Sequence, residues 1–162
     1  MANYKIIDNA LDDVDFQKIK SAMLGNHFPW YYADEVAFEG DKNDDYYFIH
    51  TLYDSCQPQS SYYELVVPVL VKLQAKAVIR IKANLYTNIN KFVKHTQHQD
   101  YKFSHKGAIF YVNSNNGYTQ LETGEKIESI ENRLLLFNSS KLHNSTNCTD
   151  KKMRVNFNIN YF

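Results

Sequence analysis

Residues 78–86 read VIRIKANLY, and residues 154–162 at the end of the chain read RVNFNINYF. In both stretches polar and apolar side chains alternate, which is typical of β-strands because successive side chains point to opposite faces of a sheet. The polar faces carry Arg80, Lys82, Asn84 and Tyr86 in the first stretch, and Arg154, Asn156, Asn158 and Asn160 in the second. These groups suit a polar ligand if the polar faces point into a barrel and not into water.

The first half of the chain predicts mostly helices. An apolar stripe at helical spacing predicts a helix over residues 12–24, closed by Gly25. Its members are Val14, Phe16, Ile19 and Met23. A second helix is predicted from Ser60 or Ser61 through Leu73, and Pro68 marks a kink or a later start.

Strands dominate the rest of the chain. Residues 46–53 (YYFIHTLY), 108–113 (AIFYVN) and 133–137 (RLLLF) are rich in β-forming residues. Residues 40–45 form a predicted polar turn. Helices followed by many short strands predict an α+β fold, with a sandwich or barrel of strands supported by N-terminal helices.

Composition excludes several classes of protein. The 162 residues suit one domain, and 18 Lys plus Arg balance 18 Asp plus Glu. A net charge of zero argues against a nucleic-acid or anionic-membrane partner and makes a homo-oligomer plausible. We find no secretory signal and no apolar run near the roughly 20 residues that a membrane helix needs. Cys56 and Cys148 are expected to be reduced thiols, which predicts a cytoplasmic location.

A metal site is suggested by His98-Gln99-Asp100. Residues two apart on an extended chain point the same way, so this imidazole and carboxylate can meet one ion. His143 follows the RLLLF strand, and two His with one carboxylate form the facial triad of non-haem Fe(II) oxygenases. Arg154 comes eleven residues later and suits bidentate binding of a carboxylate. From spacing alone, the alternative is that the three ligands are solvated surface groups.

With these residues in place, the stretch 78–162 resembles the 2-oxoglutarate- and Fe(II)-dependent oxygenases, in their prolyl-hydroxylase-like branch. Residues 84–86 (NLY) precede the His-x-Asp motif as the family's strand with a cosubstrate tyrosine does. Residues 108–113 resemble the strand that carries a second such tyrosine. Residues 116–119 (NGYT) resemble the family's Gly-Gly-x-Thr/Leu strand, with Asn116 in place of the first glycine. Gly117 is expected to serve strand geometry.

The N-terminal segments carry a further resemblance. FPWYY at residues 28–32 and YYFIHTLY at residues 46–53 are similar to segments of small oxygenase-like proteins of phage and marine bacterial type.

The resemblance implies a double-stranded β-helix, or jelly roll, with N-terminal helices packed on its major sheet. It implies one domain over residues 1–162, with helical and strand support in residues 1–77 and the catalytic core in residues 78–162. Fe(II) would be held by His98, Asp100 and His143, a triad that Ni, Zn or Mn can also occupy.

The resemblance also implies where the cosubstrate 2-oxoglutarate binds. Arg154 would hold its distal carboxylate, helped by the hydroxyls of Tyr111 and Tyr86. Asn158 stands where the family often has a hydroxyl side chain, and Asn156 where other branches have serine. Two further candidates for contact with the cosubstrate, or for support of a metal ligand, are Asn84 and Thr119.

Three functions remain open from the residues. The first is a 2-oxoglutarate-dependent dioxygenase that hydroxylates a C–H bond of a peptidyl, possibly prolyl, or small-molecule substrate. The second is a cupin-type metalloenzyme that does not use 2-oxoglutarate and has no need of Arg154. The third is a non-catalytic jelly-roll binding module, against which the complete ligand set speaks.

Other notable residues are expected to have structural roles. We expect His50 to be a satisfied histidine within its strand and Trp30 to pack a helix against the sheet. His95 is expected to be exposed, although contact with the target is an alternative. Arg80 and Lys82 are expected to be solvated strand ends, with binding of an acidic target as the alternative.

Overall fold

The structure is a computed structural model that describes residues 4–37 and 46–162. The predicted polar turn at residues 40–45 lies outside the described residues. The described residues form helices α1 (Asp13–Met23) and α2 (Val67–Leu73), with a 3-10 helix (Ser61–Leu65) before α2. They also form β1 (Tyr4–Ile7), β2 (Tyr31–Ala33), β3 (Tyr47–Asp54), β4 (Gln57–Pro58), β5 (Val78–Thr87), β6 (Lys106–Tyr111), β7 (Tyr118–Leu121), β8 (Lys126–Glu128), β9 (Arg133–Phe137), β10 (His143–Ser145) and β11 (Met153–Tyr161).

Two antiparallel sheets build the molecule. The major sheet has eight strands in the order β1-β9-β6-β11-β5-β3-β2, with β4 paired to β3 at the side. The minor sheet has three strands in the order β10-β7-β8. Ile109 and Leu135 of the major sheet pack against Leu121 and Ile127 of the minor sheet, so the two sheets face each other. This is the predicted jelly roll, or double-stranded β-helix.

Both helices cover the outer face of the major sheet, as predicted. Phe16 and Ile19 of α1 and Val69 of α2 are buried in one cluster with Ile81 and Phe157 of the sheet. Burial of these apolar side chains is the main force that holds the helices on the sheet.

The prediction for Val14 in this helical stripe is wrong, because Val14 is 79% exposed. It lies two residues before Phe16, which turns its side chain roughly 200° around the helix and away from the sheet.

The second helical region begins in two steps. Ser60 caps the 3-10 helix by accepting a hydrogen bond from the Tyr62 amide at 3.1 Å. Pro68 lies in the first turn of α2, where its missing N–H costs no hydrogen bond. Of the two predictions for Pro68, the later helix start is confirmed.

Five short strands were not predicted, namely β1, β2, β4, β8 and β10. The strand β1 pairs with β9, and β2, which begins within the FPWYY segment, pairs with β3. Both are strands of at most four residues at the borders of the major sheet, too short to show a clear alternation. No helix in the described part of the chain is long and apolar enough to cross a membrane.

The register of the central strands sets the polar face predicted above. In β11 and β5, Arg154 lies opposite Tyr86 and Asn156 lies opposite Asn84. Because the helices cover the other face, this polar face points toward the minor sheet. The space between the sheets is therefore lined by polar side chains.

Replacing Phe157 with alanine is expected to destabilise the fold by about 3–5 kcal/mol, because the ring is fully buried between helix and sheet. Phe92→Ala, at a ring that is 40% exposed, is the matched control and is expected to cost much less. Urea unfolding of both variants measures the difference. Equal losses would contradict the packing described here.

Candidate metal centre

Three side chains at one end of the space between the sheets have the arrangement of a metal site. The backbones of His98 and His143 form a bridge in which each amide donates to the other's carbonyl at 2.9 Å. The Asp100 amide donates to the Ser139 carbonyl at 3.0 Å. As a result, one carboxylate oxygen lies 3.9 Å from Nε2 of His98, and the other lies 3.9 Å from Nε2 of His143. The three ligand atoms all lie within 4.8 Å of one another.

Both histidines are held in the form that binds a metal. Nδ1 of His98 lies 3.3 Å from the carbonyl oxygen of Thr96, and Nδ1 of His143 lies 2.9 Å from that of Lys141. A carbonyl only accepts, so each Nδ1 carries the proton and each Nε2 keeps its lone pair. Burial, followed by the nearby His143, lowers the pKa of His98, which favours its neutral form.

The carboxylate of Asp100 is almost fully buried, with its side chain 3% exposed. Asn160 donates to one oxygen at 2.8 Å, and Arg80 donates to the other at 3.3 Å. Burial raises the pKa of this carboxyl, but His143, the Asn160 hydrogen bond and Arg80 together outweigh burial, so the net pKa is lowered. The group is therefore an anion at neutral pH and available to a cation.

This donor set fits Fe(II). Two imidazole nitrogens and one carboxylate on one side of an ion leave its other positions open, which is the arrangement of the facial triad. Ni, Zn and Mn are compatible with the same donors. The three ligands are not the solvated surface groups of the alternative interpretation, since all are buried or half-buried.

At the other end of the space lies the guanidinium of Arg154, which is 1% exposed. Nε donates to Ser129 Oγ at 2.6 Å, Nη1 to the Thr146 carbonyl at 3.2 Å, and Nη2 to Thr119 Oγ1 at 3.1 Å. Among residues 4–37 and 46–162 no carboxylate lies within ion-pair distance of it. Because a guanidinium has five N–H donors, one remains on each Nη, which is the fork that binds a carboxylate.

The guanidinium group of this arginine lies over the rings of two tyrosines. The guanidinium carbon lies 5.3 Å from the Tyr86 ring centre and 5.6 Å from that of Tyr111. The Tyr111 hydroxyl donates to Thr119 Oγ1 at 2.8 Å. Thr119 thus accepts from both Arg154 and Tyr111, which leaves its own hydroxyl proton for a ligand. Tyr111 is fully buried behind Thr119, so its hydroxyl faces Thr119 and not the cavity.

One cavity of about 240 Å³ connects the triad to Arg154. Its walls include Tyr86, Thr119 and the amides of Asn84, Asn144, Asn156 and Asn158. The side-chain oxygens of Asn84, Asn144 and Asn158 are buried and have no hydrogen-bond partner within the described residues. Buried polar atoms without partners are costly, so these amides indicate a polar occupant. The candidate residues for the metal and for the cosubstrate therefore line one space, except Tyr111.

Similar solved structures were found, although no protein-family model and no curated protein sequence matches the chain. An oxidoreductase of the 2OG-Fe(II) oxygenase family from Burkholderia pseudomallei aligns with a TM-score of 0.71 at 10% identity, over 98% of this chain and 84% of that one. A viral collagen prolyl hydroxylase from Paramecium Bursaria Chlorella virus-1, in complex with 2OG, gives 0.66 at 13% identity, over 98% and 95%. This chain has the fold of the 2OG-Fe(II) oxygenases.

A prolyl hydroxylase from Trichoplax adhaerens, in complex with a peptide fragment of hypoxia inducible factor, shares this oxygenase fold. It aligns with a TM-score of 0.67 at 13% identity, over 99% of this chain and 83% of that one. At these identities the likeness establishes the fold. The resemblance to the prolyl-hydroxylase-like branch is confirmed at the level of the fold. The roles of individual residues are inferred from their contacts in the cavity.

Three expectations about neighbouring residues are corrected. Arg80 and Lys82 are not solvated strand ends, because both line the cavity. His95 is not exposed: it is buried, stacks on Tyr86 at 5.1 Å and lies 2.8 Å from Ser145 Oγ through Nδ1. The loop between β5 and β6 folds over the polar face of β5, which buries His95 against Tyr86 and brings Asp100 to Arg80. The alternation within a strand does not reveal such a cover.

His50 and Trp30 have the structural roles predicted for them. His50 is buried, with Nδ1 2.6 Å from the Pro29 carbonyl oxygen, and Trp30 packs 4.7 Å from Phe28 beside the core.

Gly117 has a role beyond strand geometry. A Cβ at this position would lie 2.6 Å from Cδ of Arg154 and 2.5 Å from the Asn147 carbonyl oxygen. Only glycine leaves room for the arginine stem, so this residue lets Arg154 reach the cavity.

The residues of the site that were missed as candidates include Asn144, Asn160 and Ser129. Asn160 was visible as the last member of the alternating polar face of β11, and its contact with Asp100 gives it a role. Ser129, which accepts from Arg154, follows β8 in a loop and carries no signal in the sequence.

Asn160→Ala is expected to weaken Fe(II) binding by about 10–100-fold, because Asp100 loses the donor that orients it. Metal affinity of the purified variant, measured by anaerobic titration, gives the result, and its melting temperature shows whether it is folded. Asn26→Ala, at an exposed site, is the control and should bind metal as the parent does. An unchanged affinity in the folded Asn160 variant would show that Asp100 needs no support.

Proposed function

We propose that this protein is a 2-oxoglutarate- and Fe(II)-dependent dioxygenase that hydroxylates a C–H bond. The observation that carries the proposal is the cavity, with the triad at one end and, at the other, a buried arginine that has no carboxylate partner within the described residues. A dianion that chelates a metal through one end and presents a carboxylate at the other matches both ends. When bound, iron and 2-oxoglutarate supply the oxidising chemistry, which consumes O2 and yields succinate and CO2.

We assign the following roles to residues of the chain. His98, Asp100 and His143 hold the metal ion through Nε2, a carboxylate and Nε2, and their backbone bonds fix this geometry in advance. Arg154 binds the distal carboxylate with its two remaining N–H groups, and the hydroxyl of Thr119 donates beside it.

The tyrosines would act through the arginine. The rings of Tyr86 and Tyr111 would hold the guanidinium through cation–π contacts and exclude water from it. Burial raises the pKa of Tyr86 to about 12, so its phenol stays protonated and adds no charge at the anion.

The carboxamides of the cavity wall would contact the middle of the cosubstrate or water beside it. The Asn84 amide nitrogen donates to the Asn156 side-chain oxygen at 3.2 Å, which fixes both amides relative to each other. The Asn84 and Asn158 oxygens remain free for a donor in the cavity, within the described residues. Positioned polar groups of this kind orient a small ligand more than they add affinity.

The target of oxidation is proposed to be a peptidyl residue or a small molecule. A peptidyl target, with a prolyl residue as one candidate, is supported by the likeness to a prolyl hydroxylase that was solved with a peptide fragment. This support comes from similarity of fold, and a fold alone does not specify a substrate.

Anaerobic titration of 2-oxoglutarate into the Fe(II)-loaded protein tests the proposal. We expect a new visible charge-transfer band that saturates with cosubstrate. Admission of O2 should then convert 2-oxoglutarate to succinate, slowly in the absence of a target. Bound iron without such a band would favour a cupin-type enzyme that does not use 2-oxoglutarate. Failure to bind iron would favour a non-catalytic module.

A further inference from the structure

Besides the arginine that is assigned to the cosubstrate, the cavity wall carries two further cations, Arg80 and Lys82. Lys82 lines the cavity, and its Nζ donates to the Tyr47 hydroxyl at 3.1 Å. Within residues 4–37 and 46–162, no carboxylate lies at ion-pair distance from this ammonium. Its neighbour on the same face, Arg80, differs because it is paired with Asp100. The charge of Lys82 is therefore available to an occupant of the cavity.

The register places Lys82 toward the metal end. It lies opposite Asn158, and the next pair on the same face is Arg80 opposite Asn160, both of which donate to Asp100. Arg154 lies opposite Tyr86, four residues from Lys82 along β5, or about 13 Å between Cα atoms. The two cations thus stand near opposite ends of the cavity.

Asn158 adds a second observation at the same place. Its side-chain oxygen is buried in the cavity wall and has no partner within the described chain. Among the described residues, an ammonium without a carboxylate partner and a carboxamide oxygen without a donor thus lie on facing strands. An anion can accept from the ammonium, and a water molecule beside the anion can donate to the Asn158 oxygen.

We propose that Lys82 binds the carboxylate at the metal end of the 2-oxo acid, so that the cosubstrate is held by a cation at each end. This inference rests on the proposed function. A 2-oxo diacid has two carboxylates, one beside the keto group and one distal, and the cavity offers for each a cation that has no carboxylate partner among the described residues. Lys82 would thereby orient the keto acid at the metal, while Arg154 selects for the second carboxylate.

Binding of an anion by Lys82 should depend on pH, because the surroundings of Lys82 shift its pKa. Burial lowers the pKa of Lys82 to about 8, helped by Arg80 and opposed by Asp100 and Asp54. Tyr47 contributes no charge, because burial raises its pKa to about 12. The metal ligands His98 and His143 line the same end of the cavity. Below pH 8 the lysine is an ammonium that can bind an anion, and above pH 8 it loses the proton.

The experiment uses two ligands and three variants. The ligands are 2-oxoglutarate and 2-oxobutyrate, which share the keto-acid end, whereas the second lacks the distal carboxylate. Each is titrated anaerobically into Fe(II)-loaded parent, Lys82→Met, Lys82→Arg and Arg154→Met, with the charge-transfer band or calorimetry as readout. Metal affinity and melting temperature are measured on each variant first. Lys82→Met removes a half-buried charge while keeping the length of the side chain, so we expect it to fold.

We expect the variants to distinguish binding of the keto-acid end of the ligand from binding of its distal carboxylate. Lys82→Met should raise Kd for both ligands by a similar factor of about tenfold or more, and Lys82→Arg should restore part of the affinity. Arg154→Met should weaken 2-oxoglutarate and leave 2-oxobutyrate within about twofold. In the parent, Kd for both ligands should rise as the pH passes about 8, and in Lys82→Met it should stay level from pH 7 to 9.

Failure takes two distinguishable forms. If the parent binds 2-oxoglutarate and Lys82→Met binds both ligands equally well, the assignment of Lys82 is overturned while the proposed function stands. The lysine then faces an anionic group of the target. If the iron-loaded parent binds neither 2-oxo acid, the proposed function fails and this assignment fails with it.

Discussion

Replacing His143 with alanine is expected to abolish Fe(II) binding and all turnover that depends on it, while the protein stays folded. The side chain supplies one of three ligand atoms that lie within 4.8 Å of one another, and two ligands do not retain the ion in competition with water. The backbone bridge between His143 and His98 uses only main-chain atoms, so it survives the substitution. Anaerobic metal titration and the yield of succinate from 2-oxoglutarate measure the effect.

His27→Ala is the matched control, because this exposed histidine lies outside the cavity and its substitution should leave metal binding unchanged. Unaltered conversion of 2-oxoglutarate by the His143 variant would remove this residue from the triad. Melting curves of both variants, with and without metal, separate loss of the site from loss of the fold. Added metal should raise the melting temperature of the parent and of the control only.

Replacing Arg154 with methionine is expected to weaken 2-oxoglutarate binding by about 100-fold or more, with metal affinity little changed. The guanidinium is 1% exposed and has no carboxylate partner among the described residues, so a carboxylate bound there would form charge-assisted hydrogen bonds away from water. Titration of the Fe(II)-loaded variant gives Kd for the cosubstrate. The same variant provides the 2-oxobutyrate comparison described above.

Two further variants test whether the loss of affinity is specific to the guanidinium of Arg154. Arg154→Lys should recover little, because an ammonium cannot reproduce the planar fork that Ser129 and Thr119 orient. Arg133→Met should bind cosubstrate as the parent does, since Arg133 pairs with Asp8 outside the cavity. A variant that lost metal binding while keeping its affinity for 2-oxoglutarate would argue against Arg154 as the carboxylate clamp.

Several features of the fold and the site were predictable because they depend on local spacing. Alternation in residues 78–86 and 154–162 specified which side chains share a face, since the side-chain period of a strand is two. The two-residue spacing of His98 and Asp100 likewise placed both on one side of the chain. The apolar stripe specified the sheet-facing side of α1 at Phe16 and Ile19, while Val14 was assigned to it in error.

What covers each face was decided by the tertiary structure. Lys82 alternates in sequence as a solvated residue does, yet the packing of the second sheet turns its face into a cavity wall. His95 is buried because its loop folds onto Tyr86, and Ser129 reaches Arg154 from a distant loop. The amino-acid sequence is enough to specify which side chains lie on the same face of a strand, because this follows from the geometry of a single strand. The packing of separate strands decides which of these side chains contact a metal ion, an anion or water, because the walls of the cavity come from both sheets.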